Sequence, residues 1–252
     1  MLSVGTPLLW SLFTVFVIAA LAVDFLVLER GATKVVSLRK AAIWSLVWVL
    51  VSFAFVGWLW WYLGGSSAQA ETRDLANAKA LEFITGYLVE KALAVDNIFV
   101  FLMLFNYFAV PAGFQRRALM IGIIAALVMR AAMILAGAWL VTQFHWVMYV
   151  FGAFLVFTGI KMWRAAGQEP DLDANPALQW IKRHVKIAPD YDGERFFTRI
   201  DGVRMATPLL VVILLIGVVD AVFAVDSIPA IFAITLDPFI VLTSNVFAVL
   251  GL

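Results

Sequence analysis

The chain contains no cysteine. Disulfides, thiolate metal sites and cysteine nucleophiles are therefore excluded, although the redox compartment stays open. Histidine is nearly as scarce, with His145 and His184 the only two. Charge is thin: Asp, Glu, Lys and Arg make up 14% of the residues, against about 25% in soluble proteins. A soluble chain of 252 residues has too much surface to cover with so few charges. The net charge of +1 gives no field that would draw nucleic acid. No Walker-type phosphate loop is present, so ATP is not used by this chain itself. Hydrophobic residues, by contrast, reach 64%, against roughly 45–50% in soluble proteins. The composition describes an integral membrane protein.

About 20 apolar helical residues cross a bilayer. Seven segments reach or approach that length, at about 7–28, 41–63, 83–107, 118–141, 146–163, 205–226 and 228–252. None alternates with period two, which excludes a transmembrane barrel. The expected fold is all-α, a polytopic transmembrane helical bundle of about seven spans. Ala20-Leu21-Ala22 resembles a signal-peptide cleavage site, but Met1–Pro7 carries no base and the apolar run continues through Phe25–Leu28, so the first span is expected to be retained. Arg30, Lys34, Arg39 and Lys40 fill the first connection, Arg116 and Arg117 the third, and Arg164, Lys182, Arg183, Lys186, Arg195, Arg199 and Arg204 the fifth. The even connections are poor in bases. This pattern puts the N-terminus outside and the basic loops in the cytoplasm. It divides the chain into a first transmembrane half of five spans, 1–163, a cytoplasmic loop, 164–204, and a second half, 205–252. Within the loop, Asn175–Arg183 has the pattern of a short amphipathic helix on the membrane surface; a solvated linker is the plainer expectation. Trp58, Trp60, Trp61 and Tyr62, with Trp146 and Tyr149, read as interfacial anchors.

Ionisable side chains inside a span cost at least about 2.5–3.5 kcal/mol each and need a reason. Span three carries Glu90, Lys91 and Asp96, span four Arg130, and span six Asp220 and Asp226; Asp24 lies near a span end. Glu90-Lys91-Ala92-Leu93-Ala94-Val95-Asp96-Asn97-Ile98 and Asp220-Ala221-Val222-Phe223-Ala224-Val225-Asp226-Ser227-Ile228 share one pattern, 130 residues apart. The two copies enter from opposite sides, which makes an inverted internal repeat of the kind secondary transporters use. Glu90 and Asn97 fall on one helical face, as do Asp220 and Ser227, whereas Glu90 and Asp96 do not. Either each acid faces a different neighbour, or the helix is broken between them. Pro229 is the candidate breaker, freeing the carbonyl of Val225 beside Asp226.

Carboxylate, amide and hydroxyl oxygens suit hard cations such as Mg²⁺, Ca²⁺ or Mn²⁺. The candidate metal ligands are Glu90, Asp96, Asp220 and Asp226, helped by Asn97 and Ser227. The competing interpretation is a set of structural ion pairs, with Lys91 or Arg130 neutralising Glu90 or Asp96. A proton relay would use the same acids.

These residues also carry a resemblance. Gly5–Trp10, Ala42–Trp48, Thr85–Asn97, Tyr149–Met162 and Phe223–Asn245 resemble the TerC family of integral membrane proteins, and within it the Alx-like bacterial branch. The family is named for tellurium resistance. The resemblance implies efflux of a divalent metal, chiefly manganese, by a multi-pass protein of the bacterial inner membrane. The family's functional acids fall on Glu90, Asp96, Asp220 and Asp226. The family usually has a further Glu three residues before the first acid of the second motif, where this chain has Gly217. Family members also run on through about two more spans, so the second repeat is expected to be incomplete at Leu252.

The expected function is export of a hard divalent cation, Mn²⁺ foremost, by alternating access. No enzyme activity and no permanently bound cofactor are expected, and the partners are the metal ion and the lipid bilayer, not nucleic acid. The alternative is a non-transporting factor for membrane insertion, assembly or tellurium-type stress resistance, with the fifth connection as its docking surface.

Overall fold

The computed structural model describes residues 3–29, 38–165 and 176–250. Arg30 and Lys34 of the first connection lie outside the described residues, as do the side chains of Asp24 and Asp96. Seven long helices take up the seven expected spans. They are α1 (Pro7–Glu29), α2 (Leu38–Tyr62), α3 (Ala70–Tyr107), α4 (Ala112–Gln143), α5 (Val147–Ala165), α7 (Pro208–Phe232) and α8 (Pro238–Leu250). Between α5 and α7 lie the short helix α6 (Pro176–His184) and a hairpin of β1 (Phe197–Ile200) and β2 (Val203–Ala206). Stretches of α2, α4 and α7 are each long and apolar enough to span a bilayer, and α1, α5 and α8 contain shorter apolar stretches. A membrane offers no water to unpaired backbone, so helix is the state in which each span satisfies its own peptide groups.

Local chemistry sets several helix starts. Thr6-Pro7, Thr207-Pro208 and Asp237-Pro238 each place a capping side chain before a proline in the first helical position. Thr6 Oγ1 accepts from Leu9 N at 3.2 Å, and Asp237 Oδ1 accepts from Phe239 N at 3.1 Å.

Two expectations are corrected. First, the break at Pro229 does not form: α7 runs through it without interruption to Phe232. Proline lacks one N–H, so it removes the single bond that would reach back to Val225, and the turns on either side hold the helix. The sixth span therefore ends at Phe232, not near Asp226, and the last begins at Pro238. Second, residues 176–184 are not a plain linker: they form α6, with Leu178 and Ile181 buried in one cluster with Leu104, Ala118 and Leu209 of α3, α4 and α7.

The chain folds into two compact units. One comprises residues 1–95, 131–155 and 227–252. Its centre is α8, in which every residue from Phe239 to Leu250 is buried. Phe247 touches Phe13, Phe16, Phe55 and Phe83, with ring centroids 4.8–5.9 Å apart. At one end, Asp237 accepts from Ser3 Oγ (2.7 Å) and Val4 N (2.9 Å), and Thr235 Oγ1 donates to Glu82 at 2.5 Å. The N-terminus, the start of α3 and the α7–α8 connection thus share one end, as even-numbered crossings require.

The other unit comprises 96–130 and 156–226. Here the third and fifth connections meet. Tyr191 Oη donates to Phe108 O at 2.8 Å, and Arg117 pairs with Glu194. The C-terminal part of α3 (Leu104, Phe105) packs against the N-terminal part of α7 (Leu209, Val211, Val212). In the first unit it is the α3 start that meets the α7 exit, through Glu82 and Thr235.

Candidate functional site

The two acidic motifs bury corresponding faces. On α3, Glu90 and Asn97 are 1% and 3% exposed. On α7, Asp220 and Ser227 are 4% and 2% exposed. Val95 on α3, and Val222 and Val225 on α7, point outward instead. Seven residues make nearly two helical turns, which is why the members of each pair share a face. With no break at Pro229, Asp220 and Asp226, six apart on α7, face different neighbours.

In the second unit, Asp220 is held by Arg130 of α4. Nε donates to Oδ2 at 3.1 Å and Nη2 to Oδ1 at 2.9 Å, and both side chains are almost fully buried. This fork-on-fork geometry is the strongest form of a guanidinium–carboxylate pair. The sequence pointed to Arg130 as a partner for Glu90 or Asp96; the described geometry pairs it with Asp220, and the Asp96 side chain lies outside the described residues. Asp226, half-buried on the same helix, has Lys161 of α5 as an electrostatic neighbour. Asn97 Oδ1 is buried with no hydrogen-bond partner among the described residues.

In the first unit, Glu90 lies on the α3 face that meets α8. Contact there is close because Gly86 has no side chain: a Cβ at that position would come within 2.9 Å of Ser244 Oγ. Lys91 Nζ donates to Ala248 O at 3.3 Å. Ser227 Oγ is buried without a hydrogen-bond partner among the described residues. Sequence reasoning passed over one polar group here, Thr243-Ser244-Asn245 of α8, all 0% exposed. The signal was available, since three polar residues inside an otherwise apolar helix need a reason. Lys161 was missed because it sits near a span end, where a lysine can reach water.

Of the six candidate ligands, Glu90 and Ser227 lie in one unit and Asn97, Asp220 and Asp226 in the other, while Asp96 has no described side chain. Among the described residues no three acids or histidines gather into a metal-holding group. Each unit holds buried oxygen donors and a base: Glu90 and Ser227 with half-buried Lys91 in the first, Asn97 and Asp220 with buried Arg130 in the second.

Residues 75–252 match the integral membrane protein TerC family. The chain is 52% identical over 250 residues to a candidate membrane-bound redox modulator, Alx, in both Shigella flexneri and Escherichia coli K12. Each alignment covers 99% of this chain and 77% of the relative. It is 46% identical over 250 residues to the uncharacterised membrane protein STKORF319 of Myxococcus xanthus, covering 99% of this chain and 74% of that one. No solved structure matches. On the extent of the match and the identity to these relatives, the chain belongs to the TerC family of integral membrane proteins.

Proposed function

We propose that the protein exports a hard divalent cation, Mn²⁺ foremost, from the cytoplasm through its intramembrane carboxylates. One observation carries this reading. Asn97 and Ser227 occupy the same position in the two motifs, and each buries an oxygen with no hydrogen-bond partner among the described residues. An unmatched buried oxygen costs about 1–3 kcal/mol. Two of them, each next to an aspartate, are what a passing dehydrated ion would use. Hydroxyl, amide and carboxylate oxygens fit a hard cation, and the chain has no thiolate to favour a soft one.

In this reading Asp220 is shared. The cation and the Arg130 guanidinium compete for the same carboxylate, so loading releases Arg130 and unloading recaptures it. Such a two-position charge is a natural element for alternating access between inverted motifs. The bases of the third and fifth connections support a cytoplasmic side for those loops, in the bacterial inner membrane that this reading assigns. A redox influence, as named for the Alx relatives, would reach the cell through the transported ion, since a chain without cysteine performs no thiol–disulfide exchange.

The test is Mn²⁺ flux in proteoliposomes, paired with manganese sensitivity of cells expressing Asp96→Asn or Asp226→Asn. Both variants should lose flux and protection. Variants that protect as well as the unaltered chain sink the site assignment. A protein that gives no Mn²⁺ flux at all, yet restores membrane insertion or assembly of other proteins, would be the non-transporting factor.

A further inference from the structure

The hairpin in the fifth connection has no part in the transport reading, and its chemistry is unusual. Asp201 and Gly202 both have positive φ (51° and 78°), which gives the two-residue turn whose twist matches a hairpin. In the register that follows, Arg199 pairs with Arg204, Phe197 with Ala206, and Ile200 with Val203. Arg199 and Arg204 therefore stand opposite each other on one face, where like charges are destabilising. Both are exposed, and among the described residues neither has a carboxylate partner. Arg204 lies 4.1 Å over the ring of Phe197 on the same face. The other face presents Ile200 and Val203, 37% and 38% exposed.

The base of the hairpin is fixed to the start of α7, a helix long and apolar enough to cross a membrane. Thr207, the residue that caps α7, ties the hairpin to it: its N donates to Phe196 O at 2.9 Å and its Oγ1 donates to Arg195 O at 2.7 Å. Phe196 also lies 5.2 Å beneath Arg117, in the first turns of α4. A strand rises about 3.3 Å per residue, so the Arg199–Arg204 pair lies about 10 Å from Thr207. The headgroup layer is about 5–8 Å deep, and charges act over about 8 Å beyond it at physiological salt. The pair is thus within reach of headgroup phosphates whichever way the hairpin leans.

We infer that β1–β2 is a docking element for anionic lipid headgroups, with Arg199 and Arg204 taking the phosphate and Phe197, Ile200 and Val203 entering the interface. The counter-charge that the cross-strand arginine pair lacks is supplied by the bilayer the chain already crosses. An acidic protein segment would satisfy the same charges, but the membrane edge fixes the lipid as the neighbour at hand.

The test uses the cysteine-free chain, so a single Val203→Cys variant carries an environment-sensitive dye at the tip. The protein is reconstituted in phosphatidylcholine alone and in an equal mixture with phosphatidylglycerol. In the anionic bilayer the dye should shift to the blue and resist an aqueous quencher, and high salt should reverse both. Adding Arg199→Gln and Arg204→Gln should lower the docked-to-undocked ratio about thirty-fold. A tip with equal quenching in both bilayers overturns the inference, as does a shift that persists in the double Gln variant. A shift seen only on adding a soluble acidic protein overturns it in favour of a protein partner. Because the dye reports lipid and not flux, the result stands apart from the transport assay.

Discussion

The α3 and α7 motifs bear nearly the same letters, yet they are buried by different means. Asp220 of α7 sits in a two-point grip from Arg130, so its charge is matched by one rigid partner. Glu90 of α3 lies where two helix backbones come close at Gly86 and Ser244, with Lys91 beside it donating to a backbone carbonyl. The α7 acid is met by a matching charge, and the α3 acid stands where two helices pack closely. Repeated sequence patterns preserve the position of a functional group and leave its support to local neighbours.

Arg130→Met tests the first half of that contrast most strongly. It leaves Asp220 buried without its partner, and a loss of about 3–5 kcal/mol is expected, read as a large drop in thermal midpoint in detergent. Gly86→Ala tests the second half. Forcing a methyl against Ser244 should cost about 1–3 kcal/mol, and pairing it with Ser244→Gly should recover most of that. Gly217 is the control, since a Cβ there meets nothing within 4 Å. Gly217→Glu, which restores the acid usual in the family, should fold as well as the unaltered chain and raise Mn²⁺ flux. Lys91→Met, which removes the donor to Ala248 O, should cost less than Arg130→Met. If it costs as much as Arg130→Met, the two motifs are held alike and the contrast fails. Ser227→Ala should raise stability by up to about 1–3 kcal/mol, since it removes a buried Oγ with no described partner, while still lowering Mn²⁺ flux.

Much of this was readable from the chain. Apolar run length gave the helices, basic residues gave the shared sides of the loops, and seven-residue spacing gave the buried faces of both motifs. Tertiary choices were not readable. Arg130 could have met any of several acids, and only the packing of α4 against α7 selects Asp220. Pro229 carried a real local penalty, but helix on both sides outweighed one missing bond. The hairpin was readable and was passed over: Ile200-Asp201-Gly202-Val203 is a strong turn signal, hidden inside a segment whose mixed charges suggested a linker.

The length and polarity of α3 bear on how the protein is made. At 38 residues it extends about 57 Å, nearly twice the hydrocarbon thickness. It is absent from the helices apolar enough to span by length and composition, because Glu90, Lys91 and Asp96 interrupt it. A segment like this is poorly retained when it leaves the translocon alone. Only Phe108 to Pro111 separate it from the strongly apolar α4. The two helices are expected to enter the bilayer together as one hairpin, with α4 supplying the hydrophobicity that α3 gives up to its charges.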